Sequence, residues 1–373
     1  MLNLALGGHS EADVINQLHY RNGGREIKYK VNVLNKHENK IGEISTTPSG
    51  NTINFDSLAE IKRTANFRFK EGEFKDLDWL NDKIQPVFML RMPNDAFVEW
   101  NLGVFLLYSP TRKEDYLNVW RDVEAYDSSV ILKEDKFDNR YIISANTLYT
   151  DAINTILNSA NINKINITHS AAVINVDKEF EIGTTKLEAI NSLLMEINYT
   201  SVWVDENGYF TSVPYILPTQ REVEYSYKTD FLSVFGNGVQ ETLDVFNVPN
   251  KWIVTASNAE KIPITSKYTN DLPTSITSTI NRNRTITKFV TINDISDQDT
   301  LDAYVKRLAY NDSQIYGSFM FSTCCMPHHT FSDIIYVEHS TLNIKEKFTE
   351  TSWSMELQAG GKMSHNLRRV IKI

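Results

Sequence analysis

Gly317-Ser318-Phe319-Met320-Phe321-Ser322-Thr323-Cys324 opens the stretch that decides the fold, and Thr351-Ser352-Trp353-Ser354-Met355-Glu356-Leu357 is its clearest segment. In the second segment Trp353, Met355 and Leu357 share one parity, and Ser352, Ser354 and Glu356 share the other. Side chains along a strand alternate with period two, so this pattern predicts a strand with one dry and one wet face. Met320 and Ser322 alternate with Phe319 and Phe321 in the same way, and Phe331 to Val337 is a nearly continuous apolar run. Gly360-Gly361 breaks the pattern, and Leu367 to Ile373 predicts a further strand running to the last residue. A chain that ends inside a strand is expected to carry no domain after its fold.

Working outward, 373 residues correspond to roughly two to three domains. With 41% hydrophobic and 23% charged residues the composition is that of an ordinary globular protein, long enough for sizeable cores. Abundant Tyr and Phe, with short runs of Ile, Val and Thr, favour β-structure. The formal charge of -9 argues against a surface that wraps nucleic acid, since phosphate binding needs a basic face. The two cysteines are adjacent and offer no disulfide framework. The first residues, Met1 to Gly8, lack the basic flank and apolar length of a signal peptide. No stretch approaches the ~18 consecutive apolar residues of a membrane span. The expectation is a protein folded in a cytoplasm, leaving the cell only by lysis or within an assembly.

Along the chain, residues 1–24 read as an N-terminal arm with a short helix, capped by Ser10 with Asp13 and ended by Arg21-Asn22-Gly23-Gly24. Residues 25–128 read as a first antiparallel β-domain. Its strands are expected at Ile27 to Leu34, Ile41 to Thr46, Ile61 to Phe69, Val87 to Met92, Val98 to Tyr108 and Tyr116 to Ala125, separated by polar turns. Residues 129–222 read as an inserted small α/β module. Leu148, Ala152, Ile153, Ile156 and Leu157 have helical spacing, and Thr185 with Glu188 forms a capping box before the stripe Leu187, Ile190, Leu194 and Ile197. Asn207-Gly208 between Val202-Trp203-Val204 and Tyr209-Phe210 predicts a hairpin. Residues 223–373 read as a second β-domain, with Lys251 to Ala256 a clear strand, 265–284 a long polar loop, and an amphipathic helix capped by Ser296 and Asp299. The fold class is therefore α+β, mainly β: two antiparallel β-domains with a module set between them.

The chemistry in the sequence is sparse. Cys324-Cys325-Met326-Pro327-His328-His329 has zinc-binding residue types at the wrong spacing, because adjacent strand residues point to opposite faces and zinc sites space their ligands. His9, His19, His37, His169, His339 and His365 form no cluster with it in sequence. No metal site, cofactor site or catalytic residue is assigned. Asp205-Glu206 precedes Asn207-Gly208 and reads as a pair of solvated turn residues. Gly236-Asn237-Gly238 lacks the third glycine of a dinucleotide fingerprint, and no hydrolase, kinase or phosphate-loop motif is present. Arg282, Arg284 and Lys288, with Arg368, Arg369 and Lys372, are the basic concentrations. They read as a solvated face or as a rim for an acidic partner. Trp203 is expected to pack under the second helix of the module, and Tyr209 and Tyr215 are the other aromatics that a glycan could use.

In its order of features the chain resembles the baseplate hub proteins of phage tails and of tail-like bacteriocin particles, in the form found in viruses of Gram-positive bacteria. Four stretches carry the resemblance: Ile61-Lys62-Arg63-Thr64-Ala65-Asn66-Phe67; Thr185 to Phe210; Asp244-Val245-Phe246-Asn247-Val248-Pro249-Asn250; and Thr351 to Leu357 through Gly360-Gly361-Lys362-Met363. The resemblance implies two tube-type β-domains per chain, and a homotrimer that forms a pseudo-sixfold ring. It implies as partners a tail tube protein, a central spike, other baseplate proteins and the tape measure, with DNA passing through an acidic lumen that repels it. It implies a non-enzymatic assembly role in a virion or tail-like particle. The alternative is a tail-tip protein that binds the cell wall or degrades peptidoglycan.

Overall fold

The computed structural model describes all residues except 20–23, 45–49, 73–76, 117, 247, 258–262, 293–294 and 296. Helix α1 (Glu11–Leu18) starts at the capping box of Ser10 and Asp13 and buries Val14 and Leu18. Eight strands follow: β1 (Ile27–Leu34), β2 (Lys40–Ile44), β3 (Thr52–Asp56), β4 (Arg63–Lys70), β5 (Lys83–Arg91), β6 (Phe97–Asn101), β7 (Phe105–Asp115) and β8 (Asn118–Asp127). Period-two alternation is clearest in β4, where Arg63, Ala65, Phe67 and Phe69 point inward. The span Val98 to Tyr108, expected as one strand, is two. The break falls at Gly103, whose φ of +131° suits only glycine and where a Cβ would lie 2.6 Å from Arg63 Cδ. Strand β3 is absent from the sequence reading.

The module contains α2 (Ser129–Glu134), β9 (Tyr141–Ile143), α3 (Tyr149–Ser159), β10 (Ile165–Ile167), β11 (Lys178–Phe180), α4 (Lys186–Glu196), β12 (Trp203–Val204) and β13 (Phe210–Ser212). The capping box of Thr185 and Glu188 forms as its spacing predicts. Ile153, Ile156 and Leu157 of α3 and Leu187, Ile190, Leu193 and Leu194 of α4 meet Val202, Val204 and Phe210 in a hydrophobic core of their own.

The chain then forms β14 (Tyr225–Lys228), β15 (Gln240–Leu243), β16 (Lys251–Ala256), β17 (Ile264–Thr269), α5 (Thr279–Arg282), β18 (Thr287–Ile292), α6 (Gln298–Gln314), β19 (Gly317–Cys324), β20 (Ile334–His339), β21 (Ile344–Glu356) and β22 (Lys362–Arg369). Strand β16 lies between β17 and β18, and α6 covers this sheet, burying Trp252, Val254, Leu301, Val305 and Ala309. The expected polar loop over 265–284 is therefore corrected, since it contains most of β17 and all of α5. Its Thr and Ser residues misled because β17 exposes one face. The cap of α6 is also corrected: Asp297 accepts from Thr300 N at 2.8 Å, and Ser296 lies outside the described residues.

Both β regions belong to one 14-stranded sheet, in the order β15-β19-β22-β21-β3-β4-β8-β7-β5-β1-β2, with β14, β20 and β6 branching from it. The join is the antiparallel pairing of β21 with β3, which sets Trp353 opposite Phe55 and Met355 opposite Ile53. A single continuous core runs beneath both halves. The fold is mainly β with antiparallel pairing dominant, as the sequence patterns predict. The expected strand from Leu367 to Ile373, running to the last residue, is corrected. Strand β22 ends at Arg369 and pairs on both sides, with β19 and with β21.

Candidate functional site: a buried histidine–carboxylate cluster and the cleft beside it

Strand register brings together side chains far apart in sequence. On β22, Met363, His365 and Leu367 face inward. A register shift between Glu350 and Ser352 of β21 leaves Glu350 pointing into the same interior, where it meets His365 and the loop histidine His329. Glu350 Oε2 lies 2.6 Å from His329 Nδ1, and its Oε1 lies 2.6 Å from His365 Nδ1. On the far side of each ring, His329 Nε2 is 2.6 Å from the Tyr227 hydroxyl and His365 Nε2 is 2.9 Å from Thr323 Oγ1. Asp333 Oδ2 stands 3.6 Å from His329 Nδ1 and accepts from Thr330 N at 2.7 Å, while Oδ1 pairs with the amino group of Met1 at 3.0 Å.

Burial opposes charge on His329, but Glu350 and Asp333 outweigh it and hold its pKa up to about 9. Burial likewise opposes the Glu350 carboxylate, yet the two imidazoles bring it below the usual carboxylate range. Burial keeps His365 below the ordinary histidine value in spite of Glu350. The ligating atoms of His329, Glu350 and His365 lie within 4.8 Å of one another, so these three could hold a metal ion. The cysteines take no part. Cys325 Sγ contacts Glu356 O and Gly361 O, both at 3.3 Å, and burial pushes its thiol up to about 11, which makes it a poor nucleophile. The reading that His365 joins no cluster held for sequence alone, because strand pairing supplies the neighbour.

The loop carrying His329 also forms one wall of a cleft of about 780 Å³. Its other walls come from Ser57 to Lys62, from α4 and the β12–β13 region, and from α6. Trp203 stacks on Phe331 with ring centroids 4.4 Å apart and an interplanar angle of 7°. This corrects the expectation that Trp203 packs under α4. Val202 and Val204 take that side, and strand parity turns Trp203 outward. Lys62 lies over the other ring of the stack, Phe331, and donates to Ser57 O and Ala59 O at 3.1 and 3.0 Å. Burial presses its pKa down to about 8. Arg307 sits 4.2 Å from the centre of the Tyr215 ring and donates to Tyr199 O.

The Asn207-Gly208 turn forms with Gly208 at φ +88°, as predicted, but its tip is not solvated. Gln85 Nε2 donates to Glu206 O, Asn101 Nδ2 donates to Asn207 Oδ1 at 2.7 Å, and Lys164 bridges Asn207 O and Glu38. Burial raises the Glu206 carboxyl accordingly. The module is thus docked on the first half of the sheet by a polar contact that local turn chemistry cannot reveal. Of the basic residues, Arg282 donates to Val248 O and Val245 O, Lys288 pairs with Asp312, Arg369 pairs with Glu241 and Glu346, and Arg368 lines the cleft.

No protein-family model matches the chain, and no curated protein is found similar to it in sequence. Solved structures are similar over nearly its whole length. The tail protein from Neisseria meningitidis superposes with a TM-score of 0.65 at 12% identity, over 92% of this chain and 97% of that one. The chain has the tail-protein fold. The 43 kDa tail protein of prophage MuSo2 from Shewanella oneidensis gives 0.61 at 9% identity over 91% and 98% of the two chains. A prophage tail protein from Listeria monocytogenes gives 0.57 at 11% identity over 91% and 94%. In this version of the tail-protein fold the main path of the sheet ends at β2 and β15 among the described residues. Leu243, the last residue of β15, is 56% exposed, and Phe246, just beyond it, is 78% exposed.

Proposed function

We propose that the chain is a structural baseplate hub of a phage-type tail or tail-like particle. The observation that carries this reading is the likeness to three tail proteins over more than nine-tenths of each chain. In this reading three copies form a closed ring, and the two β regions of each chain supply six quasi-equivalent positions. One side of the ring meets the hexameric tail tube, and the other meets a threefold spike; further baseplate proteins and the tape measure are neighbours. Unpaired strand edges invite association, and a closed ring satisfies them without growing into fibres. The end strands β2 and β15, with exposed Leu243 in the latter and Phe246 just beyond it, are the surfaces this ring would use. A net charge of -9 suits a lumen through which DNA slides without sticking. The role is one of assembly and requires no catalysis.

Cryo-electron microscopy of the assembled particle tests this. Three copies around the central axis are expected, with interfaces that bury on the order of 2,000 Å² or more. An off-axis position, or a copy number other than three, overturns the hub reading. Digestion of purified cell walls by the isolated chain would instead favour the tail-tip enzyme.

A further inference from the structure

The protons around Glu350 do not satisfy every contact in the cluster. Thr323 donates its single hydroxyl proton to Cys324 O at 2.7 Å, and a carbonyl can only accept. His365 Nε2, 2.9 Å from the same hydroxyl oxygen, then carries the hydrogen and donates to it. A neutral imidazole has one N–H, so His365 Nδ1 faces the Glu350 carboxylate at 2.6 Å as a bare lone pair. Two lone pairs at that separation repel, so the contact needs a positive charge, a proton or a metal ion, shared by the two groups.

We propose that this charge is a divalent transition ion of the zinc class, held by His329 Nδ1, His365 Nδ1 and Glu350. Imidazole nitrogen and carboxylate oxygen form a donor set suited to zinc. Each imidazole has its far nitrogen on a hydroxyl oxygen, Tyr227 for His329 and Thr323 for His365, which is the outer contact that orients metal-binding histidines. All three ligand side chains are 1% exposed or less, so bulk water does not compete for the ion. Asp333, 3.6 Å from His329 Nδ1, is the nearest further carboxylate. His328 adds an independent sign: it is fully buried, and among the described residues neither of its ring nitrogens has a hydrogen-bond partner. Its ring centre lies 4.6 Å from that of His329, so an uncommitted imidazole adjoins the site. The ion ties the loop after β19 to β21 and β22. Because Phe331 belongs to that loop, the ion also fixes one wall of the cleft.

The test uses the full chain without a histidine tag, loaded with Zn²⁺, dialysed against metal-free buffer, and assayed by plasma mass spectrometry and thermal unfolding. Stoichiometric retained zinc is expected, with a melting temperature that rises on loading and falls with EDTA. Tyr227→Phe keeps the ring but removes an outer contact, and should weaken zinc binding about 10–100-fold. His339→Gln, outside the site, should leave the affinity unchanged. His365→Gln should abolish retention. Should that variant fail to fold, Co²⁺ in the wild-type chain provides a second readout: visible absorption of a nitrogen–oxygen site with no thiolate charge-transfer band. Zinc that is not retained, together with a melting temperature indifferent to Zn²⁺ and EDTA, overturns the proposal. So does undiminished retention in folded His365→Gln, or a thiolate band that places the ion on the cysteines.

Discussion

The two halves of the sheet share one framework but have different interiors. Under β1 to β8 the core is mostly aromatic and aliphatic, although Arg63 and Asp127 are buried there: Phe67 packs edge-on to Phe105, Phe88 meets Trp100 at 65°, and Ile84 and Leu90 are fully buried. Under β19 to β22 the aromatic residues Phe319, Phe321, Tyr227 and Phe348 surround a buried ionic group instead. Apolar burial is non-directional and scales with the area removed from water. A buried carboxylate is stable only when all its partners are in place, so the second half ties stability to the register of three segments at once.

The largest effect should come from removing the acid at the centre of that second core. Glu350→Ala leaves two imidazoles without their shared partner and should cost about 3–5 kcal/mol in denaturant unfolding. Replacing His329, Glu350 and His365 together with leucine should cost less than Glu350→Ala alone. A triple variant weaker than the single one would break the contrast. In the first half, Leu90→Ala should cost about 2–5 kcal/mol and by the same amount at pH 6 and pH 9, because no titrating group is lost. A pH-dependent penalty there would show that the two ends of the core are coupled.

Lys62 sits at the seam between the halves and sharpens the comparison through its own titration. Its folded pKa of about 8 lies below the ordinary lysine value, so between about pH 8 and 10.5 the unfolded chain binds more protons. Stability attributable to Lys62 therefore rises with pH across that window, by on the order of 3 kcal/mol, and below pH 8 its penalty is constant. Lys62→Met should flatten this part of the stability–pH curve relative to wild type. The smallest effect is expected at the thiols. Cys325, raised to about 11 by burial, should resist iodoacetamide at pH 8 until denaturant is added, as read by mass spectrometry. Cys325→Ser should cost only a modest loss of stability and leave zinc retention intact.

What the sequence makes legible is what local physics determines. Strand β1 falls on the expected residues, the Thr185–Glu188 box caps α4, and the Asn207-Gly208 turn forms, because each depends on neighbours within a few positions. The sheet of β17, β16 and β18 escapes this reading, since β16 and β18 pair in parallel across some thirty residues that include α5. The cluster escapes for a stronger reason. His329, Glu350 and His365 show no shared periodicity, and only the bulge at Glu350 and the β21–β22 register turn them toward one another. Trp203 was misplaced because its strand is two residues long, and parity over so short a run has no anchor. Two adjacent cysteines beside two histidines carry zinc-binding residue types, but the residues that could hold a metal ion include only the second histidine of that run.

The pairing of β3 with β21 joins Asp56 to Ser352 across roughly 300 residues. During synthesis at ~5–20 residues per second, the emerging first half waits roughly 15–60 s for its neighbouring strand. Throughout that interval the backbone amides and carbonyls of Thr52–Asp56 face solvent on one side, beside the partly assembled aromatic layer. Several nascent chains on one polysome would hold that edge open together, at high local concentration. Ribosome pausing late in the message would lengthen the exposure, and a holdase that occupies the Thr52–Asp56 edge would raise the yield of folded chain more than one acting on the finished protein.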